Sequence, residues 1–349
     1  MKKFAALAAT AALFLTACSS GADSSSSSGG GNSEGSGGLP QVGEPAEISK
    51  LAGDMVKGKK VVYAAGAAGF PLQEQWANTF KKTFPQLGIE FEMNEAAADP
   101  QKLVTNAQTL LNQDPDVLIL HNQDLSNASS LIQQAQADGV YVILINLASV
   151  AQSDAFVGGD FVKAQAALAE RMASDCDKKG RNKVAVITGW GSDGLSVQAV
   201  AAWQKVFDES GMEVVSEQAG QYDPTKAGDI TKVVLKQHPD LCGFIGAWDS
   251  MMIGSANAVE QAGKAGEIGV YTSDASVVAC EALENGSMTA ALNYGVATMG
   301  DSIVSLVQYL LQSGRPAGSS RTAVYTRWNV IDKDTYKRDR SACYDGNVS

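Results

Sequence analysis

Histidine is nearly absent: His121 and His238 are the two in 349 residues. Cysteine is sparse as well, with five residues and no two at metal-ligand spacing. A zinc centre draws on those two side chains, so this poverty excludes one, and no metal or cofactor is expected. Positive charge is in deficit, with 27 Lys and Arg against 38 Asp and Glu and a net charge of -11. That balance excludes a nucleic-acid partner and a basic membrane-binding face. A nucleophile with its base is missing too. Ser192 is preceded two residues earlier by Trp190, where a nucleophile elbow needs glycine, and His121 has no nucleophile beside it in the pattern. His238, in Gln237-His-Pro-Asp240, closes a helix. The expectation is a binding protein and not an enzyme.

What is present begins at the amino terminus. Met1-Lys-Lys is a positive n-region, and Phe4 to Thr16 is an apolar run too short to span a bilayer. It ends in Leu15-Thr-Ala-Cys18, which resembles a bacterial lipobox. The resemblance implies cleavage after residue 17 and lipidation of Cys18, and loss of Lys2 and Lys3 takes the net charge to -13. From Ser19 to Gly38 the chain is mostly Ser and Gly, which cannot bury enough apolar surface to offset its ordering entropy. It reads as a tether, with Leu39 to Lys57 a mixed lead-in. A lipid anchor and a leash hold a globular body at a membrane face, outside the cytoplasm. There, disulfides become plausible among Cys176, Cys242, Cys280 and Cys343. Cys176 closes a helix and Cys242 precedes a strand, so both fall at the amino-end rim of a sheet and are paired here, with Cys343 the competing partner.

From Lys59 the chain alternates short apolar strands with helices over about 270 residues. Strands are expected at 59–65, 89–93, 116–120, 140–145 and 155–158, then at 183–188, 212–217, 244–247, 268–273 and 288–292, with a single last strand at 323–331. Helices fill the intervals, among them 72–84, 126–138, 195–210, 277–285 and 298–313. Such alternation argues for parallel sheets covered by helices, and so many strands divide into two sheets. No Pro- or Gly-rich linker separates the halves, which points to several crossings between two lobes.

In parallel α/β sheets ligands sit at the carboxyl ends of strands. Those ends and loops carry Phe70, His121, Asn122, Asn146, Asp160, Trp190, Tyr222, Trp248, Asp249, Asp274, Asn293 and Tyr294. The stretch Gly243 to Met252 concentrates the pattern: the strand Phe244–Ala247, then Trp248 and Asp249, with Ser250 opening a helix. An aromatic face beside an acceptor suits a polar, non-ionic small molecule; alone, the same residues also read as core and helix cap. Arginine is missing from these ends, since the first in the chain is Arg171 inside a helix, so no clamp for phosphate or carboxylate is present. Gly189-Trp-Gly-Ser-Asp-Gly194 matches a dinucleotide fingerprint, with Glu217 at the distance of a ribose acceptor. The extracytoplasmic placement argues against a nicotinamide cofactor, and the motif reads as a glycine-rich cleft loop.

Over residues 59 to 335 the chain resembles the type I periplasmic binding proteins, in particular the ribose- and galactose-binding branch serving ABC transporters. The resemblance rests on element order and on Gln237-His-Pro-Asp240, Trp248-Asp-Ser-Met251 and Val270-Tyr-Thr-Ser-Asp274. It implies an α/β fold of two Rossmann-like lobes with parallel sheets, three crossings and the ligand in the interlobe cleft. By position it implies ligand contacts at Trp248, just before the motif aspartate matched by Asp249, and at Asp274, Phe70, Tyr294 and either His121 or Asn122. Two departures stand out: Asn146-Leu147 replaces the Asp-Arg common in the ribose branch, and Val197-Gln-Ala199 replaces an arginine. Lost arginines and added aromatics put ribose in doubt and favour a larger apolar face: a hexose, deoxysugar, polyol or nucleoside.

The resulting expectation is a lipid-anchored solute-binding protein that delivers a small neutral ligand to an ABC transporter permease. Trp248 and Tyr222 would sandwich the ligand, with Trp190 in the glycine-rich loop and Asp249, Asp274 and Asn146 at its hydroxyls. The expected divisions are a leader at 1–17, a lipidated tether at 18–58, lobe 1 at 59–159 plus 295–322, and lobe 2 at 160–294 plus 323–349. A cationic ligand, a ligand-sensing role and an extracellular enzyme are the alternatives.

Overall fold

The computed structural model describes residues 45–346, apart from 98 and 192. The expected leader, Cys18 and the Ser/Gly tether lie outside the described residues. The first element is a helix, α1 (Pro45–Val56). This corrects the expectation of a lead-in without structure up to residue 58. Ile48, Leu51 and Met55 recur at helical spacing, Val56 is buried, and Gln312 donates a hydrogen bond to the Ala52 carbonyl.

The first lobe is built from β1 (Lys60–Ala65), α2 (Pro71–Gln86), β2 (Glu90–Glu95), α3 (Pro100–Leu111), β3 (Val117–His121), α4 (Ser129–Ala137), β4 (Tyr141–Ile145) and β5 (Ala155–Gly159). The chain then crosses to α5 (Phe161–Lys178), β6 (Lys183–Thr188), α6 (Gly194–Ser210), β7 (Glu213–Ala219), α7 (Pro224–Gln237), β8 (Gly243–Gly246), α8 (Asp249–Gln261), β9 (Gly269–Ser273), α9 (Val277–Asn285) and β10 (Ala290–Asn293). It returns with α10 (Val296–Ser313) and β11 (Thr322–Thr326), and crosses a third time to β12 (Asn329–Ile331) and α11 (Lys333–Arg338).

One sheet runs β11-β5-β4-β3-β1-β2 and the other β12-β10-β9-β8-β6-β7. Every pairing is parallel except β10 with β12. The central strands are buried from end to end, as their apolar runs require: β3 and β8 have no exposed residue. The edge strand β2 instead alternates exposed and half-buried positions. Helix starts follow local chemistry. Asp99 and Asp223 cap α3 and α7 through their carboxylates, each followed by proline at the first helical position. α4 starts at Ser129, later than the expected 126, because Asp124 gathers Ser126 and Asn127 into a separate turn.

The expected single last strand is two strands in different sheets. β11 pairs with β5 in the first lobe, and β12 pairs with β10 in the second. Arg327 and Trp328 make the crossing between them, so the expected division at 322/323 falls inside a strand and does not hold. The other crossings lie at Asp160 and at Tyr294–Gly295. Disulfides join Cys176 to Cys242, as the rim argument expects, and Cys280 to Cys343.

Candidate functional site

Both sheets turn their strand carboxyl ends toward one cleft, and a cavity of about 80 Å³ lies there. From the first lobe come Phe70, which precedes the start of α2, Gln73 in its first turn, His121 at the end of β3, Gln123 beyond it, and Asn146 after β4. From the second come Trp190 and Asp193 before α6, Tyr222 before α7, Trp248 after β8 and Asp274 after β9. Phe161 and Tyr294 sit beside the crossings. Eight of the ten expected ligand residues therefore line one cavity, and two do not.

Asn122 is buried facing away and donates to the Ala148 carbonyl at 3.0 Å. Alternation at the strand end puts 121 and 123 on one side and 122 on the other. Asp249 is buried in the first turn of α8, where it accepts from the Ser276 amide at 2.8 Å and the Ser250 hydroxyl at 3.2 Å. It braces the loop after β9 and does not reach the cavity. The two other strand-end residues are structural as well. Asp160 caps α5 and pairs with Lys163, and Asn293 bonds Gly295 and Ala342.

The aromatics form a continuous wall. Phe70 meets Trp248 with ring centroids 4.7 Å apart, Trp248 meets Tyr222 at 5.4 Å, and Tyr222 meets Trp190 at 5.1 Å, each edge to face. The glycine-rich loop serves this wall. A Cβ on Gly189 would stand 2.1 Å from the Tyr222 ring, and one on Gly194 would stand 2.6 Å from Leu147 of the first lobe. The loop's glycines admit a tyrosine and a neighbouring lobe, which accounts for the spacing without a dinucleotide. Asn146, Tyr222 and Asp274 hold φ of 78°, 58° and 93°, a region that side chains other than glycine avoid at a cost of about 1–3 kcal/mol each. All three line the one cavity.

The polar atoms divide by lobe. Gln73 Oε1, Gln123 Oε1, His121 Nδ1 and Asn146 Oδ1, all in the first lobe, are buried with no hydrogen-bond partner among the described residues. Asn146 Nδ2 lies 3.4 Å from His121 Nε2. Burial holds the His121 pKa down at about 4, so the ring is neutral at neutral pH. In the second lobe Asp193 is already committed, accepting from the Trp190 and Ser196 amides and from the Tyr222 hydroxyl at 2.8–3.0 Å. Asp274 accepts from the Tyr294 hydroxyl at 2.7 Å. Burial, reinforced by the nearby Asp249 carboxylate, pushes the Asp274 pKa well above the usual carboxylate range. Among the described residues, no Lys or Arg lines the cavity.

The sequence reading missed Gln73, Gln123 and Asp193. Gln73 was legible as the residue three before Trp76, on the buried face of α2. Gln123 follows from the alternation already described. Asp193 passes for a plain helix cap, and its contact with Tyr222 is tertiary.

Two parallel α/β lobes joined by three crossings, with a lined cavity between their strand ends, define the class of two-lobed cleft-binding proteins. The periplasmic binding protein domain family matches residues 61–316, and the chain belongs to that family, one of extracytoplasmic binding proteins. Among curated relatives, the ribose import binding protein RbsB of Bacillus subtilis is 26% identical over 186 residues, 53% of this chain and 60% of that protein. The D-ribose/D-allose-binding protein of Pseudomonas aeruginosa is 28% identical over 166 residues, 46% of this chain and 51% of that protein. The matched stretches thus span little more than half the length of these relatives. Among solved structures, a periplasmic ribose ABC transporter protein from Conexibacter woesei superposes with a TM-score of 0.69 at 25% identity, covering 82% of this chain and 96% of that one. Among the described residues, no helix is long and apolar enough to cross a membrane.

Proposed function

We propose that this protein is the solute-binding component of an ABC importer and that it captures a small neutral polyhydroxylated molecule, a sugar, deoxysugar or polyol, by closure of its lobes. The observation that carries this reading is the division of the cavity. Four unpartnered polar atoms lie on the first lobe, an aromatic wall of Trp190, Tyr222 and Trp248 lies on the second, and no cationic side chain lies between. A buried acceptor without a partner costs about 1–3 kcal/mol, which a ligand hydroxyl repays. A flat C–H face of a pyranose or cyclitol matches an indole. Relatives named for ribose and allose support the substrate class.

Closure follows from the same layout. A ligand held by the amides of one lobe meets the aromatics of the other only when the lobes approach, so it favours the closed form by its differential affinity. The closed form is then the one a permease would recognise. The amino-terminal lipobox supports attachment at Cys18 to the outer face of a membrane. A cationic ligand is less well served, because Asp193 already accepts from three donors and Asp274 is biased toward its neutral form.

A thermal-shift panel tests this. Sugars and polyols such as D-ribose, D-allose, D-galactose and myo-inositol should raise Tm, with about 2.7 kcal/mol of stabilisation at about a hundred times Kd for one that binds. No shift with any neutral polyol, together with a shift from an amine, would remove the proposal.

A further inference from the structure

The chain after α11 lies outside the family match, and it does not simply leave the molecule. Cys343 is bonded to Cys280 of α9, with Cα atoms 6.4 Å apart. Around that bond the segment is stitched to the second lobe. Asn293 donates to the Ala342 carbonyl at 2.7 Å, the Val277 amide donates to the Tyr344 carbonyl at 2.7 Å, and Arg340 makes a two-pronged pair with Glu284. Two residues beyond Tyr344 the chain has reached the first lobe. Asn78 of α2 donates its Nδ2 to the Gly346 carbonyl at 2.8 Å. Gly346 has φ of 82°, and a Cβ there would stand 3.1 Å from Glu74 Cβ and 3.4 Å from the Pro71 carbonyl. The Tyr344 ring between these attachments is buried, in the same apolar cluster as Trp76 of α2 and Val296 of α10.

We propose that residues 339–346 form a fourth tie between the lobes, a strap fixed covalently to lobe 2 and hooked onto the first turns of α2 in lobe 1, which weights the lobe equilibrium toward the closed arrangement. The location gives it leverage on the site. Its lobe-1 hook grips Pro71, Glu74 and Asn78, directly after Phe70 of the cavity wall. Its lobe-2 base lies on the turn Asp274–Val277, whose first residue lines the cavity. The three chain crossings can act as hinges that absorb changes in φ and ψ. Opening that separates α2 from α9 has to break the Asn78–Gly346 bond and uncover Tyr344. The disulfide keeps the strap's base in place while its tip detaches, so the hook re-forms from a high effective concentration.

The test reads lobe separation directly and needs no ligand, so it can fail while ligand binding stands. Spin labels are introduced as non-canonical residues at Lys81 of α2 and Lys236 of α7, leaving every cysteine native, and distances are measured by double electron–electron resonance on the full chain. Loss of one hydrogen bond should enlarge the open fraction of N78A about 2- to 10-fold over the parent. The C280S/C343S variant should open at least as far. The C176S/C242S variant removes a disulfide internal to lobe 2 and should match the parent. A distance distribution in N78A identical to the parent's overturns the proposal, whatever the disulfide variants do, and so does equal opening in all three.

Discussion

Phe70 of the first lobe meets Trp248 of the second edge to face, with ring centroids 4.7 Å apart and planes at 70°. This contact joins the amide-lined side of the cavity to its aromatic side. Phe70 stands directly before α2 and Trp248 directly before α8, so motion of one lobe against the other changes their separation. A ligand between the lobes has to work against or alongside this pair.

The two partners of that contact should respond differently to truncation. F70A removes a half-buried ring and should leave the unfolding free energy within about 1 kcal/mol of the parent. Its ligand affinity should fall at least about tenfold. W248A removes a side chain that also packs on Met- and Val-rich core, and should cost about 3–5 kcal/mol of stability while abolishing the ligand-induced shift. Differential scanning fluorimetry with and without ligand separates the two effects. A W248A protein that still binds at parental affinity would assign Trp248 to the core alone.

Gly189 should be irreplaceable for the site and not for the fold. In G189A the new methyl would collide with the Tyr222 ring, 2.1 Å away, and displace it from the position in which it meets Trp248 and donates to Asp193. The expected result is a circular dichroism spectrum like the parent's, a stability loss of about 1–3 kcal/mol and a large loss of affinity. Parental affinity in G189A would show that the Tyr222 position is unimportant.

Stability should carry the signature of a buried neutral histidine. The His121 pKa falls from 6.5 in the open chain to about 4 in the fold. The unfolded state then takes up a proton first, so stability is lost as the pH falls from 6.5 to about 4, by up to roughly 3 kcal/mol from this group. H121Q, which cannot protonate, should show a shallower decline in that window under urea denaturation. Parallel declines in the two proteins would mean that His121 is solvated or paired.

The Cys176–Cys242 bond closes a loop across 66 residues between the end of α5 and the start of β8. C176S/C242S should lose about 2–4 kcal/mol in chemical denaturation without loss of ligand affinity, because the bond lies at the rim away from the cavity. Loss of affinity with unchanged stability would reverse that assignment.

Much of this architecture is legible in the residues. β6 and α9 fall on the expected spans to the residue, because an apolar run with sharp polar or glycine borders leaves no choice of ends. What escaped is informative. The strands β11 and β12 read as one because Thr322 to Ile331 is continuously strand-like, and only the competing edges of two sheets divide it. α1 escaped because its helical stripe is short and leans on α10, a partner more than two hundred residues later. Within the site, aromatics announced themselves by size and position. Asp249 misled because a carboxylate beside a site looks the same whether it faces the ligand or braces the Ser276 amide. Cys280 and Cys343 could not be paired in advance, since the path of the last segment over α9 depends on contacts that no local pattern encodes.

The cavity is expected to take a neutral hydroxyl-rich molecule between amides and aromatics. Isothermal titration calorimetry of the full chain with D-allose, D-ribose and myo-inositol, beside ribose 5-phosphate and choline, tests it most directly. At least one neutral compound should bind at a single site near micromolar affinity, about 8 kcal/mol, and ribose 5-phosphate and choline should not bind. Saturable binding of the phosphate or the quaternary amine, with no heat from any neutral polyol, would contradict the account.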